Sequence, residues 1–166
     1  MRKKLVLGFA MLCALAVAAP LVHAQGGVKA GPDSSTIRDP DLEKDSLHNL
    51  EVARNYFKLK KAYVASLKRC EEIIAGNPNF ARIEEVLLIA GESSLALAES
   101  KGKQAPSLYA AYDANGKRTL KAEEFRDMGR EYLTRLINDY PQSKFRQQAE
   151  ADLQAVGGPQ PAKQQP

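Results

Sequence analysis

The stretch Asp139-Tyr140-Pro141-Gln142-Ser143-Lys144-Phe145 separates two segments whose apolar residues recur at helical spacing. An earlier stretch, Gly76-Asn77-Pro78-Asn79-Phe80, separates two further segments in the same way. Proline inside an α-helix loses a backbone hydrogen bond and clashes with the preceding turn, at about 3 kcal/mol. Each stretch therefore marks the end of a helix, and two matched breaks indicate a repeated helix pair.

Two helices are predicted before the first break. Asp39 is a suitable N-cap, Pro40 suits the first helical position, and acids follow in the first turn. Lys60-Lys61 forms a short corner, so the two helices must pack antiparallel, and Gly76 ends the second one. The apolar stripes are Leu50, Ala53 and Phe57 in the first helix, and Tyr63, Leu67, Cys70 and Ile74 in the second.

Three more helices are predicted after the first break. The third runs roughly from Arg82 to Ser100, the fourth begins at a Thr119 cap, and the fifth begins at a Ser143 cap. Residues 101–118 form an insertion longer than the usual helix–helix connection. Because the chain has no alternating run of β-branched residues, strands are not expected. The predicted fold is all-α, with about five helices. Phe145, Ala149 and Leu153 are expected to face inward on the last helix, whose end, with Leu153 and Val156 exposed, should pack loosely or be covered by a partner.

Both ends of the chain differ in composition from the centre. Residues 1–24 resemble a secretory signal, with Arg2-Lys3-Lys4 before an apolar run and cleavage predicted between Ala24 and Gln25. The alternatives are an uncleaved membrane anchor and a lipoprotein acylated at Cys13, although bulky Leu12 disfavours the latter. Residues 25–40 are predicted to be a disordered linker, 41–156 the helical domain and 157–166 a disordered tail. The predicted location is the periplasm.

Charge argues against nucleic acid as the partner. The full chain has 24 basic and 20 acidic residues. Removing Arg2, Lys3 and Lys4 with the signal leaves 21 basic residues against 20 acidic ones. The concentrated basic face that nucleic-acid binding requires is therefore not predicted.

Catalytic and metal chemistry find little support in the sequence. After the signal, His48 is the one histidine and Cys70 the one cysteine, so neither a metal cluster nor an activated nucleophile is predicted. Cys70 lies on an apolar stripe and is interpreted as a core residue. The segment from Asp113 to Glu124 resembles a calcium loop, but Lys117 and Arg118 occupy its central positions. No enzymatic activity and no cofactor are predicted.

Several motifs resemble those of tetratricopeptide repeats. Lys61-Ala62-Tyr63 is similar to the corner of such a repeat, Phe57 to the aromatic near the end of its first helix, and Gly91 to the glycine where its helices pack closest. Tyr140-Pro141-Gln142-Ser143, followed by Ala149, is similar to the break in the BamD type of outer-membrane assembly lipoprotein. The resemblance covers residues 47–156. The chain is expected to depart from that type in lacking a lipid anchor, in holding about two and a half repeats where the family has about five, and at Lys61 and Gly129.

The resemblance implies a short right-handed solenoid that binds proteins in the cell envelope, with a role in outer-membrane protein assembly or envelope maintenance. The first helix of each pair would line a partner-binding surface. The expected partner is an envelope protein or an outer-membrane barrel assembly complex, with the chain at most peripheral to the membrane. The alternative is a self-associating accessory that makes contacts through residues 101–118. The resemblance places these residues on the binding surface: His48, Glu51, Asn55, Lys58, Glu85, Leu88 and Glu92.

Overall fold

Five α-helices account for most of residues 38–159, the part of the chain that the computed structural model describes. They are α1 (Pro40–Arg54), α2 (Tyr63–Gly76), α3 (Ile83–Ala98), α4 (Ala122–Asp139) and α5 (Arg146–Ala155). The all-α prediction is confirmed at this level. The predicted signal peptide, Cys13, the linker as far as residue 37 and the tail from residue 160 lie outside the described residues.

Consecutive helices pack antiparallel. Arg69 near the middle of α2 contacts Asn49 of α1, and Asn77 at the end of α2 donates to Ser46 near the start of α1. The first turn of α1 begins as predicted, because Asp39 Oδ1 accepts from the N–H of Asp41 at 2.9 Å. As a result, α1, α3 and α5 run in one direction and α2 and α4 in the other.

The two proline-containing breaks have the same hydrogen-bond pattern. At the first, the N–H of Asn77 donates to the carbonyl of Ile73, and two further bonds run from Phe80 to Asn77 and from Ile83 to Phe80. At the second, the equivalent bonds run from Tyr140 to Leu136, from Ser143 to Tyr140 and from Arg146 to Ser143. Every residue in the second set lies 63 positions after its counterpart in the first.

The same offset relates the buried residues on either side of the breaks. Every buried position of α4 has a buried counterpart 63 positions earlier in the α2 region, and every buried position of α5 has one in α3. The corresponding pairs are Ala62 and Phe125, Ser66 and Gly129, Cys70 and Leu133, Ile73 and Leu136, Val86 and Ala149, and Ala90 and Leu153. The described residues therefore contain an internal structural repeat of α2–break–α3 and α4–break–α5.

The connection between α1 and α2 is tighter than a plain helical corner. Residues Asn55–Lys60 continue α1 as a π-helical turn, and Lys61 then adopts a left-handed conformation with φ 51° and ψ 37°. This is the conformation that glycine adopts without steric cost. Lys61 therefore occupies a backbone position at which a side chain is unfavourable.

The insertion contains two strands, which is a correction to the prediction of none. The strands β1 (Ala110–Asp113) and β2 (Gly116–Thr119) form an antiparallel hairpin. Asp113 Oδ1 accepts from the N–H of Asn115 at 2.8 Å, and Gly116 has φ 106°, so the turn chemistry closes the hairpin without β-branched strands. The predicted Thr119 cap is also wrong, because Thr119 ends β2 and Lys121 precedes α4.

The insertion is tied to the helices on both sides. The N–H of Lys103 donates to the carbonyl of Lys61 at 2.9 Å, and Gln104 Oε1 accepts from the N–H of Ala65 at 3.0 Å, which caps the first turn of α2. Further along, the O–H groups of Tyr109 and Tyr132 donate to Glu71 Oε1 at 2.7 and 3.4 Å. Gln104 thus supplies the cap that α2 lacks within its own sequence.

The last helix is better packed than predicted. Leu153 is buried against α4 with 3% of its surface exposed, and Val156 is half-buried. The carbonyl of Val156 accepts a hydrogen bond from Arg130. The inward direction predicted for Ala149 and Leu153 is therefore confirmed, and the exposure expected for Leu153 at the end of the helix is wrong. Within residues 38–159, none of the helices has the length and apolar character needed to cross a membrane.

Candidate protein-interaction surface

The residues predicted to bind a partner lie on the helices that share one direction. We define the odd-helix face as the surface formed by α1 with its π-helical turn, α3 and α5. The side chains of four predicted residues on it are exposed, and the other three are half-buried or buried. The exposed four are His48, Glu51, Asn55 and Lys58; Glu85 and Glu92 are half-buried, and Leu88 is buried.

Glu85 joins α1 to α3 through an ion pair. Arg54 donates from Nε to Glu85 Oε1 and from Nη2 to Glu85 Oε2, both at 2.6 Å. Arg82 donates to the second oxygen at 2.9 Å. Burial by itself would raise the pKa of Glu85, but the bonds and charges of Arg54 and Arg82 outweigh it and hold the pKa below its usual value. Glu85 therefore acts as an internal brace between helices.

Glu92 joins α3 to α5, and its pKa is raised where that of Glu85 is lowered. Gln148 donates to Glu92 Oε1, and the carboxyl group of Asp152 lies beside it. Burial, followed by the charge of Asp152, raises the pKa of Glu92 to about 7, against the opposing charge of Lys58. Burial also raises the pKa of Asp152. Two neighbouring carboxyl groups in a half-buried site favour a shared proton.

A cavity of about 280 Å³ opens between α3 and α5 at this carboxyl pair. Its lining also includes Tyr63 and Lys101, together with the apolar side chains of Leu95 and Ala155. Within the described residues, Asp152 Oδ2 is buried without a hydrogen-bond partner. A protonated Glu92 would give that oxygen a donor, which agrees with the raised pKa of Glu92.

A second recess lies where the two breaks meet. A cavity of about 370 Å³ is lined by Arg38, Phe80 and Tyr140, and a neighbouring one of about 300 Å³ by Arg82 and Phe145. Arg38 Nε donates to the carbonyl of Asn79 at 3.0 Å, which ties the chain before α1 to the first break. Both recesses are open and carry mixed polar and aromatic walls.

The structure gives no metal site to the described residues. Within residues 38–159, no group of three or more histidine, cysteine or acidic side chains could hold an ion. At the calcium-like segment, Arg118 pairs with Asp113 at 3.4 Å and with Glu124 at 2.6 Å, so a cation already occupies the space between these carboxylates. Cys70 is a fully buried core residue, as predicted.

Sequence reasoning missed the residues that brace the odd-helix face. Arg54, Arg82, Gln148 and Asp152 were not among the predicted residues, yet they hold Glu85 and Glu92 in place. One signal for Gln148 was present: it lies 63 positions after Glu85, the offset that relates the two breaks. No comparable signal pointed to the ion pair of Arg54.

Comparison with known proteins returned no match. No family model matches the chain, no curated protein matches it, and no solved structure matches its fold.

Proposed function

We propose that the chain is a short tetratricopeptide-like module that binds protein partners in the cell envelope through the odd-helix face. Its BamD-like role would lie in outer-membrane protein assembly or envelope maintenance, after export to the periplasm. Binding rather than catalysis is the activity that these residues suit, and no cofactor is needed for it.

One observation carries this proposal, namely the internal repeat. Two breaks with the same hydrogen bonds lie 63 positions apart, and every buried position of α4 and α5 has a buried counterpart at that offset in the earlier helices. Stacked helix pairs of this kind bury a continuous core and present one row of helices as a binding surface. The Tyr140-Pro141-Gln142-Ser143 break supports the likeness to the BamD type in particular.

The odd-helix face has features that suit a protein partner. His48, Glu51, Asn55 and Lys58 follow three- and four-residue steps, so they form an exposed row of mixed charge on one side of α1 and its continuation. The ion pair of Arg54 with Glu85 fixes that row against α3. A partner therefore meets a surface that is already ordered, which lowers the entropic cost of binding.

Site-specific photo-crosslinking tests the proposal in living cells. A photoreactive amino acid replaces Asn55 on the odd-helix face, and matched controls replace Lys68 on α2 and Glu131 on α4, which are also exposed. We expect one envelope protein to be captured at Asn55 and not at the controls. Lys58→Glu should then weaken binding of that purified protein in solution.

The outcomes separate the parts of the proposal. Capture of an outer-membrane barrel protein or its assembly partner supports the assembly role. Capture of a different envelope protein supports binding through the odd-helix face but contradicts the role in outer-membrane protein assembly. No capture at Asn55, or the same products at Lys68 and Glu131, contradicts binding through the odd-helix face.

A second candidate function is an accessory role through residues 101–118. The observation in its favour is the exposure of two large side chains in that segment, Leu108 at 59% and Tyr112 at 76%. In this case crosslinks should arise at Tyr112 and not at Asn55. Tyr109, which lies in the same segment, is buried against Phe125 and bonded to Glu71.

A further inference from the structure

Charge is unevenly distributed between the hairpin region and the helices. Residues 101–121 hold five basic side chains and one acid, Asp113. The other described residues, 38–100 and 122–159, hold 14 basic and 18 acidic side chains. The segment 101–121 is therefore a cationic region attached to an acidic helical body. The five basic residues are Lys101, Lys103, Lys117, Arg118 and Lys121.

The two faces of the hairpin have different surroundings. Arg118 lies on the face directed to α4, where it pairs with Asp113 and Glu124. Tyr112 and Lys117 are a cross-strand pair on the opposite face. Both side chains are exposed, and Lys117 makes no ion pair with any residue between 38 and 159. The outward face thus carries an unpaired cation beside an exposed aromatic ring.

The outer edge of β1 is unpaired. Asp113 and Gly116 are the pair that closes the turn. Hydrogen-bonded and non-bonded pairs alternate along an antiparallel ladder, so the next pair, Tyr112 and Lys117, is a non-bonded one. The N–H and C=O groups of Tyr112 therefore point away from β2. Among the described residues, nothing else bonds to the N–H or C=O of Tyr112. An exposed strand edge can pair with another strand when no proline, bulge or inward-pointing charge prevents it. The sequence of β1 is Ala-Ala-Tyr-Asp, in which the one charged residue is the aspartate at its end.

We propose that the free edge of β1 accepts an acidic, extended peptide segment of a protein partner as a third strand. Main-chain hydrogen bonds at Tyr112 supply the pairing, the Tyr112 ring packs on an alternate peptide side chain, and Lys117 attracts its carboxylates. This site is separate from the odd-helix face, and it specifies the partner of the second candidate function.

Two other occupants fit less well. A second copy of this chain would bring two cationic segments together, and like charges oppose such pairing. A lipid surface would leave the N–H and C=O groups of the edge without partners as the hairpin entered the apolar region. An acidic strand complements the positive charge of the segment and also supplies hydrogen-bond partners for the free main-chain groups of β1.

The test uses the full chain from Gln25 and a synthetic peptide of four Val-Glu repeats. Binding is followed by NMR titration, together with amide hydrogen exchange at residue 112. We expect saturable binding, slower exchange of the Tyr112 amide, and weaker binding at high salt because the attraction is ionic. Two control peptides accompany it: one of Val-Lys repeats, and the Val-Glu peptide with alternate backbone amides methylated, which cannot pair as a strand.

Matched variants separate main-chain pairing from side-chain contact. Tyr112→Ala and Tyr112→Pro both lose the ring, but proline also removes the outward N–H. We expect Tyr112→Ala to weaken binding and Tyr112→Pro to abolish it, with the thermal unfolding of the helices unchanged in both. Lys117→Glu should weaken binding about fivefold at low salt.

Four results would overturn the proposal. The first is equal binding of the methylated and the original Val-Glu peptide, and the second is equal binding of the Val-Lys and Val-Glu peptides. Concentration-dependent protection of the Tyr112 amide without peptide would show a second copy on the edge. Binding to phosphatidylglycerol vesicles that Tyr112→Pro does not alter, with none to the peptide, would show a lipid surface instead.

Discussion

Gly91 of α3 and Gly129 of α4 lie against each other where the two helices come closest. A Cβ built on Gly129 would lie 3.1 Å from the carbonyl oxygen of Gly91, and one built on Gly91 would lie 3.4 Å from that of Gly129. Each would also overlap a leucine of the facing helix. Gly129 is atypical of the repeat that the sequence resembles. Because it has no side chain, α4 can approach Gly91 of α3 closely.

Replacing Gly91 with alanine should destabilise the protein. The added methyl group would lie 2.6 Å from Leu133 Cγ, and overpacking of a core typically costs 1–3 kcal/mol. Alanine also favours helix by about 1 kcal/mol, so we expect a net loss of up to about 2 kcal/mol. The denaturation midpoint in urea measures it. Gly76→Ala is the control, because nothing lies within 4 Å of that site; equal effects of the two changes would refute the close contact.

Lys61→Gly should stabilise the protein by about 1 kcal/mol. Lys61 has φ 51°, and a side chain in this left-handed conformation costs about 1–2 kcal/mol relative to glycine, partly offset by the greater flexibility of glycine in the unfolded chain. The adjacent Lys60→Gly lies in the π-helical turn and should destabilise by about 1 kcal/mol. Thermal unfolding of both variants checks the prediction, which fails if they shift the midpoint in the same direction.

Cys70 should resist alkylation in the native protein. Its side chain is fully buried, and burial raises the pKa of the thiol well above its usual value, so little thiolate is present. Iodoacetamide should modify it only after addition of denaturant. As a control, Lys68→Cys in a Cys70→Ser background places a thiol at an exposed site of the same helix and should react at once. Rapid modification of native Cys70 would show that α2 opens readily.

Stability should fall between pH 4.5 and pH 7 through Glu92. Burial and the charge of Asp152 raise its pKa to about 7 in the folded protein, so the folded state holds a proton that the unfolded state has released. Stability is therefore highest below the unfolded pKa and falls as the pH rises through this window. Glu92→Gln removes the titration, so its stability relative to the parent protein should increase across the window and level off above it.

The control for this pH dependence is Glu131→Gln, which neutralises an exposed acid on α4. Urea unfolding at intervals from pH 4 to pH 8 gives the difference from the parent protein for each variant. The difference should be nearly constant for Glu131→Gln. A constant difference for Glu92→Gln as well would mean that Glu92 titrates normally and shares no proton with Asp152.

Helix boundaries that depend on local chemistry were predictable from sequence. Asp39 and Pro40 start α1, and the prolines at 78 and 141 end helical segments, because capping and the missing proline N–H act within a few residues. The burial of Cys70 followed from its position on an apolar stripe. These features required no knowledge of distant contacts.

The hairpin and the braces of the odd-helix face were not predictable in this way. Strands β1 and β2 have four residues each and no β-branched alternation, so their pairing depends on the turn and on anchors such as Tyr109 and Glu71. The bond between Arg54 and Glu85 joins residues 31 positions apart, and an arginine in a helix gives no sign of its partner. Long-range contacts of this kind become visible only in the folded chain.

Gln104 caps the start of α2, because its Oε1 accepts a hydrogen bond from the N–H of Ala65, which lies 39 residues earlier in the chain. A chain synthesised from its N-terminus completes α1 and α2 well before Gln104 emerges. During that interval the first turn of α2 lacks this acceptor, and Lys61 lacks the bond from Lys103. The first helix pair therefore cannot reach its final stability as an autonomous unit, and the order of emergence makes the inserted segment the step that completes it.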